Sequence, residues 1–310
     1  MNIALACDNN FAPYAAEVIA SVLRNDKNVN FFLLSDDLDK NNSDKLSEMT
    51  RQMGGNLQIV YVDKDLFKDF PMPDAGDGVS HIKISTYFRL FLPLLLPSTV
   101  VKLIYLDCDI VVRHSLRSLF DEDIADYYLG AVYHTDDLSI NNGAFTRLNI
   151  PQDQSYFNAG VLLINLEKWR KDNIYEKCLN YLHSNADKIV NHDQDVLNVV
   201  CGHKTKLLSC TWNCINDFLL QVFQEKNDRI TSMYRENIDE VINDPAVVHF
   251  AFRPKPWEII CIHPYKNDFI ECLKKTPYGR NFKIKWPTLH EFIEFFLKPQ
   301  MLGYGRFKRL

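Results

Sequence analysis

Residues 100 to 112 read Val-Val-Lys-Leu-Ile-Tyr-Leu-Asp-Cys-Asp-Ile-Val-Val, an apolar, β-branched run that carries two carboxylates, Asp107 and Asp109, one residue apart. Side chains alternate along an extended chain, so positions i and i+2 point the same way and the two carboxylates can converge on one cation. Hard oxygen ligands suit Mn²⁺ or Mg²⁺. A central strand of a mostly parallel sheet presents its carboxyl end to ligands, especially nucleotides. An Asp-Cys-Asp ending such a strand therefore predicts a metal that holds a diphosphate, with Cys108 between its ligands. Aspartate is also common in the turns that end strands, so the motif needs support from the rest of the chain.

Upstream, Ile3 to Ala6 is a short apolar strand running into Asp8-Asn9-Asn10, and from Tyr14 apolar residues recur at helical spacing. Asn30 to Ser35 reads as a second strand, Ser43 to Met53 as a second helix stopped by Gly54-Gly55, and Leu57 to Val62 as a third strand. These βα units predict an open α/β sheet, mostly parallel and flanked by helices. No G-x-G-x-x-G follows the first strand, which disfavours a dinucleotide-binding dehydrogenase. Asp74 to Gly78 reads as a loop, and a helix through Ser85 to Leu90 is expected to be limited by Pro93. Beyond the Asp-Cys-Asp run, strands are expected at Tyr128 to Tyr133, Gly160 to Leu166 and Ala246 to Phe250. Helices are expected near 167 to 184 and 193 to 200, and a polar connection over 135 to 155.

A chain of 310 residues can bury a substantial core, and its 46% hydrophobic and 24% charged residues mark an ordinary globular composition. The net charge of −5 gives no reason to expect nucleic-acid binding. Apolar stretches are broken well before the roughly 18 residues of a spanning helix. The start lacks a basic segment and reaches Asp8 too soon for a secretory signal. The eight cysteines form no C-x-x-C pair, so reduced thiols in a cytoplasmic protein are expected. Cys201, His203, Cys210 and Cys214 lie near one another in sequence, but their C-x-H and C-x₃-C spacings match zinc modules poorly.

Three further segments stand out. Phe157-Asn158-Ala159-Gly160 precedes an apolar strand, where a small polar turn lets a ligand approach the backbone and the Asn158 amide offers donor and acceptor. Asn191-His192-Asp193-Gln194-Asp195 opens a helix, with Asp193 or Asp195 as its cap. His249-Phe-Ala-Phe-Arg-Pro-Lys255-Pro-Trp257 supplies an imidazole able to bind a metal and, six residues on, a cation suited to phosphate.

With the Asp-x-Asp motif, these segments resemble the family 8 glycosyltransferases. These are retaining enzymes of the GT-A fold, and they include bacterial lipopolysaccharide and lipooligosaccharide galactosyl- and glucosyltransferases, with glycogenin a more distant relative. The likeness runs from the first strand to about Trp257. Tyr105 to Val112, Tyr156 to Trp169, Asp193 to Asn198 and His249 to Trp257 carry it in that order. The resemblance implies a Mn²⁺-dependent hexosyltransferase that uses UDP-galactose or UDP-glucose and a glycan acceptor that is lipid-linked. It implies that Asp107, Asp109 and His249 hold the metal and that Ala6, Asp8 and Asn10 form the uridine pocket. Arg89, Asn158 with Ala159, Asp193 and Gln194 then bind the sugar, and Lys255 neutralises the diphosphate. Gln194, Asp193 and Lys255 are the candidate catalytic residues.

Two positions depart from the family pattern. Phe252 stands where a glycine is usual three residues after the metal histidine, and His134 stands where a carboxylate is usual near the sugar, with Asp136 and Asp137 close by. Retention by double displacement would need a nucleophile on the enzyme. Gln194 is a poor one, and Asp193 is better suited chemically but is also a candidate to hold sugar hydroxyls; a same-face route, in which the leaving phosphate takes the proton, needs no nucleophile on the enzyme and is favoured. The rival functions are a metal-dependent sugar-nucleotide hydrolase and a non-catalytic carbohydrate-binding protein.

The composition changes near the end. The predicted division is a GT-A catalytic domain over residues 1–270 and a small helical, basic and aromatic tail over 271–310. Residues 280–310 carry seven Lys or Arg against two acids, with seven aromatic residues among them. Basic groups are drawn to anionic lipid by about 1 kcal/mol each, and aromatic rings settle at the interface. The tail is therefore expected to attach the protein peripherally to the inner face of the cytoplasmic membrane. An amphipathic helix over Leu289 to Leu297 packed on the catalytic domain is the alternative.

Overall fold

The computed structural model describes residues 1–67, 84–133, 143–151, 154, 156–219, 234, 241, 243–251 and 253–289. The chain opens β1 (Asn2–Ala6), α1 (Ala12–Asn25), β2 (Asn30–Ser35), α2 (Lys40–Gln52) and β3 (Asn56–Tyr61), the βα alternation read from the sequence. Helix α2 starts at Lys40 rather than Ser43, because the Asp39 carboxylate accepts the Asn42 N–H at 2.8 Å and caps the first turn. It stops where Gly54 takes a φ of +88°, a conformation that costs glycine little.

The main sheet has seven strands in the order β3-β2-β1-β4-β7-β6-β8, with β4 (Lys102–Leu106), β6 (Leu129–Tyr133), β7 (Phe157–Asn165) and β8 (Thr205–Leu207) completing it. Its pairs are parallel except where β7 runs antiparallel to β4 and β6. Strand β4 is thus central, as the continuous apolar run requires. Alternate residues feed two separate cores: Ile3, Leu5, Ile104, Leu106 and Leu163 face one layer of helices, while Ala4, Leu103, Tyr105, Leu162 and Ile164 face the other. A second sheet of three short strands, β5 (Ile110–Val112), β10 (Val247–His249) and β9 (Cys214–Ile215), lies beyond β4.

Several local expectations change. Residues Ile84–Phe91 form a 3₁₀ helix, and Pro93 lies in the first turn of the short α-helix Leu92–Leu95 that follows it instead of ending the element. Proline is tolerated there because the first helical N–H groups have no partner within the helix. Strand β7 starts at Phe157, so Asn158, Ala159 and Gly160 belong to the strand and not to a turn before it. The helix expected over 167 to 184 is two, α3 (Leu166–Lys171) and α4 (Ile174–Ser184), separated where Asn173 turns left-handed at φ +51°. The last apolar strand, β10, joins the second sheet. Helix α5 (His192–Cys201) agrees with its prediction, and α6 (Lys266–Lys274) packs Phe269 and Leu273 into the core beside α1. After α6, Lys285 bridges to Glu258, so residues 282–286 run along the Trp257–Ile259 segment. The loop at Asp74 to Gly78, His134, Asp136, Asp137, Phe252 and residues 290–297 of the alternative tail helix lie outside the described residues.

Candidate functional site

The Asp-Cys-Asp run is the joint between the two sheets. Strand β4 ends at Leu106, the Asp107 N–H still donates to the Gly160 carbonyl of β7 at 2.9 Å, and β5 begins at Ile110 in the other sheet. The aspartates therefore follow a strand rather than sit inside one, yet the alternation persists. The Cys108 thiol turns toward the Ala6 carbonyl at 3.4 Å, while both carboxylates face His249. His249 arrives through the register of the small sheet: it pairs with Ile110, and the Phe250 N–H donates to the Asp109 carbonyl at 2.9 Å.

Each aspartate has one oxygen engaged by a cation. Arg89 Nη2 donates to Asp107 Oδ1 at 2.7 Å, and Lys255 Nζ to Asp109 Oδ2 at 2.6 Å. The other oxygens turn inward, Asp107 Oδ2 lying 3.9 Å and Asp109 Oδ1 3.2 Å from His249 Nε2. One ligand atom from each of the three residues lies within 4.8 Å of the others, the one such cluster among the described residues. An octahedral ion with bonds of ~2.1 Å places its ligand atoms roughly 3 to 4.2 Å apart, so two hard oxygens and an imidazole nitrogen at these spacings fit a small divalent cation. Burial works against charge on Asp109, but Lys255 and His249 outweigh it and hold the carboxyl well below its usual range.

Arg89 organises the floor of the site. Its guanidinium lies 4.3 Å over the Tyr105 ring, donates to the Ala159 carbonyl and places Nε 2.9 Å from Asp193 Oδ2. The Nε–H is aimed at the Thr86 carbonyl, whereas the Thr86 hydroxyl donates to Asp193 Oδ1 at 3.0 Å. Burial pushes Asp193 up to about 6, helped by the charge of Asp107 and resisted by Arg89. Here desolvation outweighs an ion pair at contact distance. Burial also disfavours charge on Arg89, but Asp107 and Asp193 more than offset it, and the guanidinium stays charged.

Helix α5 is capped differently from the sequence expectation. Asn191 is the N-cap residue, without a side-chain cap bond, and His192 takes a φ of +46°. Asp193 is engaged with Thr86 and Arg89. Asp195 instead gathers the Val190 and Asn191 N–H groups, both at 2.8 Å, with the Tyr156 hydroxyl at 2.6 Å and Arg147 at 2.8 Å. Gln194 Oε1 accepts from the Ala159 N–H at 3.1 Å and from Asn158 Nδ2 at 3.3 Å, tying α5 to β7. At the end of β1, Asp8 Oδ1 accepts the Phe11 N–H at 2.9 Å and Asn10 is exposed, while Asn9 binds Asp39 and Asn42 of the next βα unit.

Asp107, Asp109, Cys108, His249, Lys255, Arg89, Asn158, Ala159, Asp193 and Gln194 are thus linked through direct contacts. Sequence reasoning missed Thr86, Tyr156, Arg147 and Asn213. Asn213 sits between Cys210 and Cys214, a stretch weighed for zinc. All eight cysteines are buried and free, and the residue of that stretch that reaches the cluster is Asn213, whose Oδ1 lies 2.9 Å from His249 Nδ1.

Known proteins share most of this chain. The lipopolysaccharide 1,2-glucosyltransferase of Escherichia coli is 31% identical over 301 residues, covering 91% of this chain and 84% of that protein. General stress protein A of Bacillus subtilis is 28% identical over 295 residues, covering 93% and 96%. Among solved structures, the galactosyltransferase LgtC in complex with donor and acceptor sugar analogs superposes with a TM-score of 0.79 at 29% identity, over 89% of this chain and 96% of that one. That enzyme has also been solved as an active-site glutamine-to-glutamate mutant. The model of glycosyl transferase family 8 matches residues 2–261, and the chain belongs to that family: it is a glycosyltransferase with a GT-A-like fold and a candidate metal site at Asp107, Asp109 and His249.

Proposed function

We propose that this enzyme moves galactose or glucose from a UDP-sugar onto a glycan acceptor of the lipopolysaccharide or lipooligosaccharide type, with retention, using Mn²⁺ (or Mg²⁺) at Asp107, Asp109 and His249. The observation that carries this reading is the pair of inward-turned oxygens, Asp107 Oδ2 and Asp109 Oδ1, set around His249 Nε2 with Lys255 alongside. Two cations, Arg89 and Lys255, stand against three carboxylates there, a balance that favours one divalent cation. Asp107, Asp109 and His249 would hold the ion, which would supply electrostatic stabilisation for the charge that develops on the leaving phosphate oxygen. Lys255 adds a positive charge to the same oxygen. Ala6, Asp8 and Asn10 at the end of β1 hold the uridine, while Arg89, Asn158, Ala159, Asp193 and Gln194 line the sugar.

The engagement of Asp193 supports a same-face route, because a carboxylate bonded to Thr86 and held against Arg89 is poorly placed to attack the anomeric carbon. Gln194, held by Ala159 and Asn158, positions the sugar at the reacting centre. The likeness to the Escherichia coli glucosyltransferase and to the galactosyltransferase LgtC supports glucose and galactose as the transferred sugars. The test is a panel of UDP-sugars assayed for UDP release with and without acceptor and Mn²⁺. Release that needs Mn²⁺ and acceptor, and is greatest for one of these two donors, is the expected result. Release to water at the same rate without acceptor would make the protein a hydrolase instead.

The acceptor reading extends to the tail. Trp286 and Leu289 are 74% and 76% exposed, and Lys283 and Lys285 lie in the same segment, a composition that supports attachment to anionic lipid at the inner membrane face. No helix among the described residues is long and apolar enough to cross a membrane. Sedimentation with anionic vesicles compares the full chain with one truncated near residue 280, and the truncated chain is expected to stay in the supernatant. Equal partitioning would exclude the tail as an anchor.

A further inference from the structure

We infer that Asn213 is a positioning residue for His249, holding a proton on Nδ1 so that Nε2 is the nitrogen offered to a cation bound between it, Asp107 and Asp109. The inference rests on the reading of these three residues as a cation site. Which imidazole nitrogen carries the proton is decided by the hydrogen bond the ring makes on its other side. The bond in question is between His249 Nδ1 and Asn213 Oδ1 at 2.9 Å, with both residues buried.

Everything turns on which end of the Asn213 amide faces the ring, and two backbone groups answer it. The Gly160 N–H can only donate, so the Asn158 atom 2.9 Å from it is the oxygen. That same oxygen receives Asn213 at 2.9 Å, so Asn213 presents its NH₂ there and its oxygen to His249. The second check comes from the opposite side. The Ala159 N–H donates to Gln194 at 3.1 Å, which makes that atom the amide oxygen, and Asn158 then offers its own NH₂ to it at 3.3 Å. Both routes give the same orientation of Asn158 and hence of Asn213. An acceptor at Nδ1 calls for Nδ1–H, which leaves Nε2, 3.2 Å from Asp109 Oδ1, as the nitrogen that can give up a proton and offer its lone pair to a cation bound there.

Gly160 makes room for this arrangement. A Cβ at that position would collide with His249 Cε1 and lie 2.7 Å from Nδ1 and 2.9 Å from Asp107 Oδ2. The glycine therefore supplies the N–H that starts the relay, the carbonyl that fixes Asp107 and the space in which the ring lies.

The experiment is long-range ¹H–¹⁵N correlation of the ¹⁵N-histidine protein without and with Mg²⁺, with His249 assigned by its loss in His249→Ala. Wild type is expected to keep Nδ1 protonated in both states and to show an unprotonated Nε2 when Mg²⁺ is added. Asn213→Leu is expected to lose the fixed Nδ1 proton and to weaken Mn²⁺ binding, measured by calorimetry, about 10 to 100-fold. Asn213→Asp keeps an acceptor at Nδ1 and is expected to keep the proton there. A wild-type His249 without a proton on Nδ1 would overturn the inference whatever the variants do, and so would a folded Asn213→Leu with unchanged Nδ1 protonation and Mn²⁺ affinity. An Nδ1-protonated wild type that binds neither ion would support the relay and remove the cation reading instead.

Discussion

Two regions of this molecule bury carboxylates, and they treat them in opposite ways. At the joint between the sheets, Asp107, Asp109 and Asp193 share Arg89 and Lys255, and all the carboxylate groups lie within reach of a cation. Inside α1, Glu17 is fully buried, and neither of its oxygens has a hydrogen-bond partner among the described residues. Burial pushes the Glu17 carboxyl well above its ordinary value, with Arg24 only partly opposing it, whereas Asp109 is held below its range. The same desolvation therefore leaves Asp109 charged beside Lys255 and His249, raises Asp193 only to about 6 beside Arg89, and lifts Glu17 furthest where no cation is fixed in contact. A cluster of charges stabilised by its neighbours can act on a ligand, while a lone buried acid only costs stability.

The sharpest way to break that contrast is to remove the cation from the first region. Arg89→Met leaves Asp107 and Asp193 partly or wholly buried without their partner, and unfolding stability is expected to fall by about 3–5 kcal/mol. Adding Asp193→Asn to Arg89→Met should recover part of the loss in urea unfolding, because one uncompensated charge is gone. No recovery would mean that Arg89 acts through packing on Tyr105 rather than through charge.

Next in size is the effect of Asp109→Asn on turnover. Loss of one charged metal ligand is expected to lower the rate about 10² to 10³-fold, equivalent to about 2.7–4 kcal/mol of transition-state stabilisation. The fold should persist, since the residue lies in the joint after β4. Transfer at the wild-type rate with unchanged Mn²⁺ dependence would take Asp109 out of the site.

The smallest effect comes from the second region, where Glu17→Leu is expected to raise stability by about 1–3 kcal/mol at neutral pH. The sign with pH follows from its raised value. Between the ordinary value of 4.5 and the raised one, the native state keeps a proton that the unfolded chain has released, so native stability falls as pH rises through that window. Urea unfolding of both proteins at about pH 5 and about pH 7.5 should therefore show a larger gain for Glu17→Leu at the higher pH. A gain independent of pH would mean that Glu17 stays ionised in the fold.

The same two regions divide what could be read without coordinates. The βα order, the buried central strand and the Asp107-x-Asp109 motif were legible because they depend on periodicity and on neighbours close in sequence. So were His249 and Lys255, six residues apart. The 3₁₀ form of Ile84–Phe91, the extension of β7 back to Phe157 and the break at Asn173 were not, because each depends on what packs against the segment. Nothing in the sequence around Glu17 marks it as a buried residue. Its burial follows from α6 packing beside α1, a contact made across roughly 250 residues of chain.

What the sequence determined by itself is the supply of parts: continuous apolar runs that bury strands on both faces, and carboxylates, imidazole and lysine of the kinds that bind a metal and a diphosphate. Only the tertiary structure decided how they meet. The chain leaves one sheet at Leu106 and enters another at Ile110, and the pairing of His249 with Ile110 closes a gap of about 140 residues. Asn213 reaches the ring from the 3₁₀ turn Cys210–Asn213 that leads into β9. Strand register is set by side chains on both partners at once, so no segment read alone contains it, and the orientation of one imidazole depends on a backbone N–H of Gly160 two asparagines away.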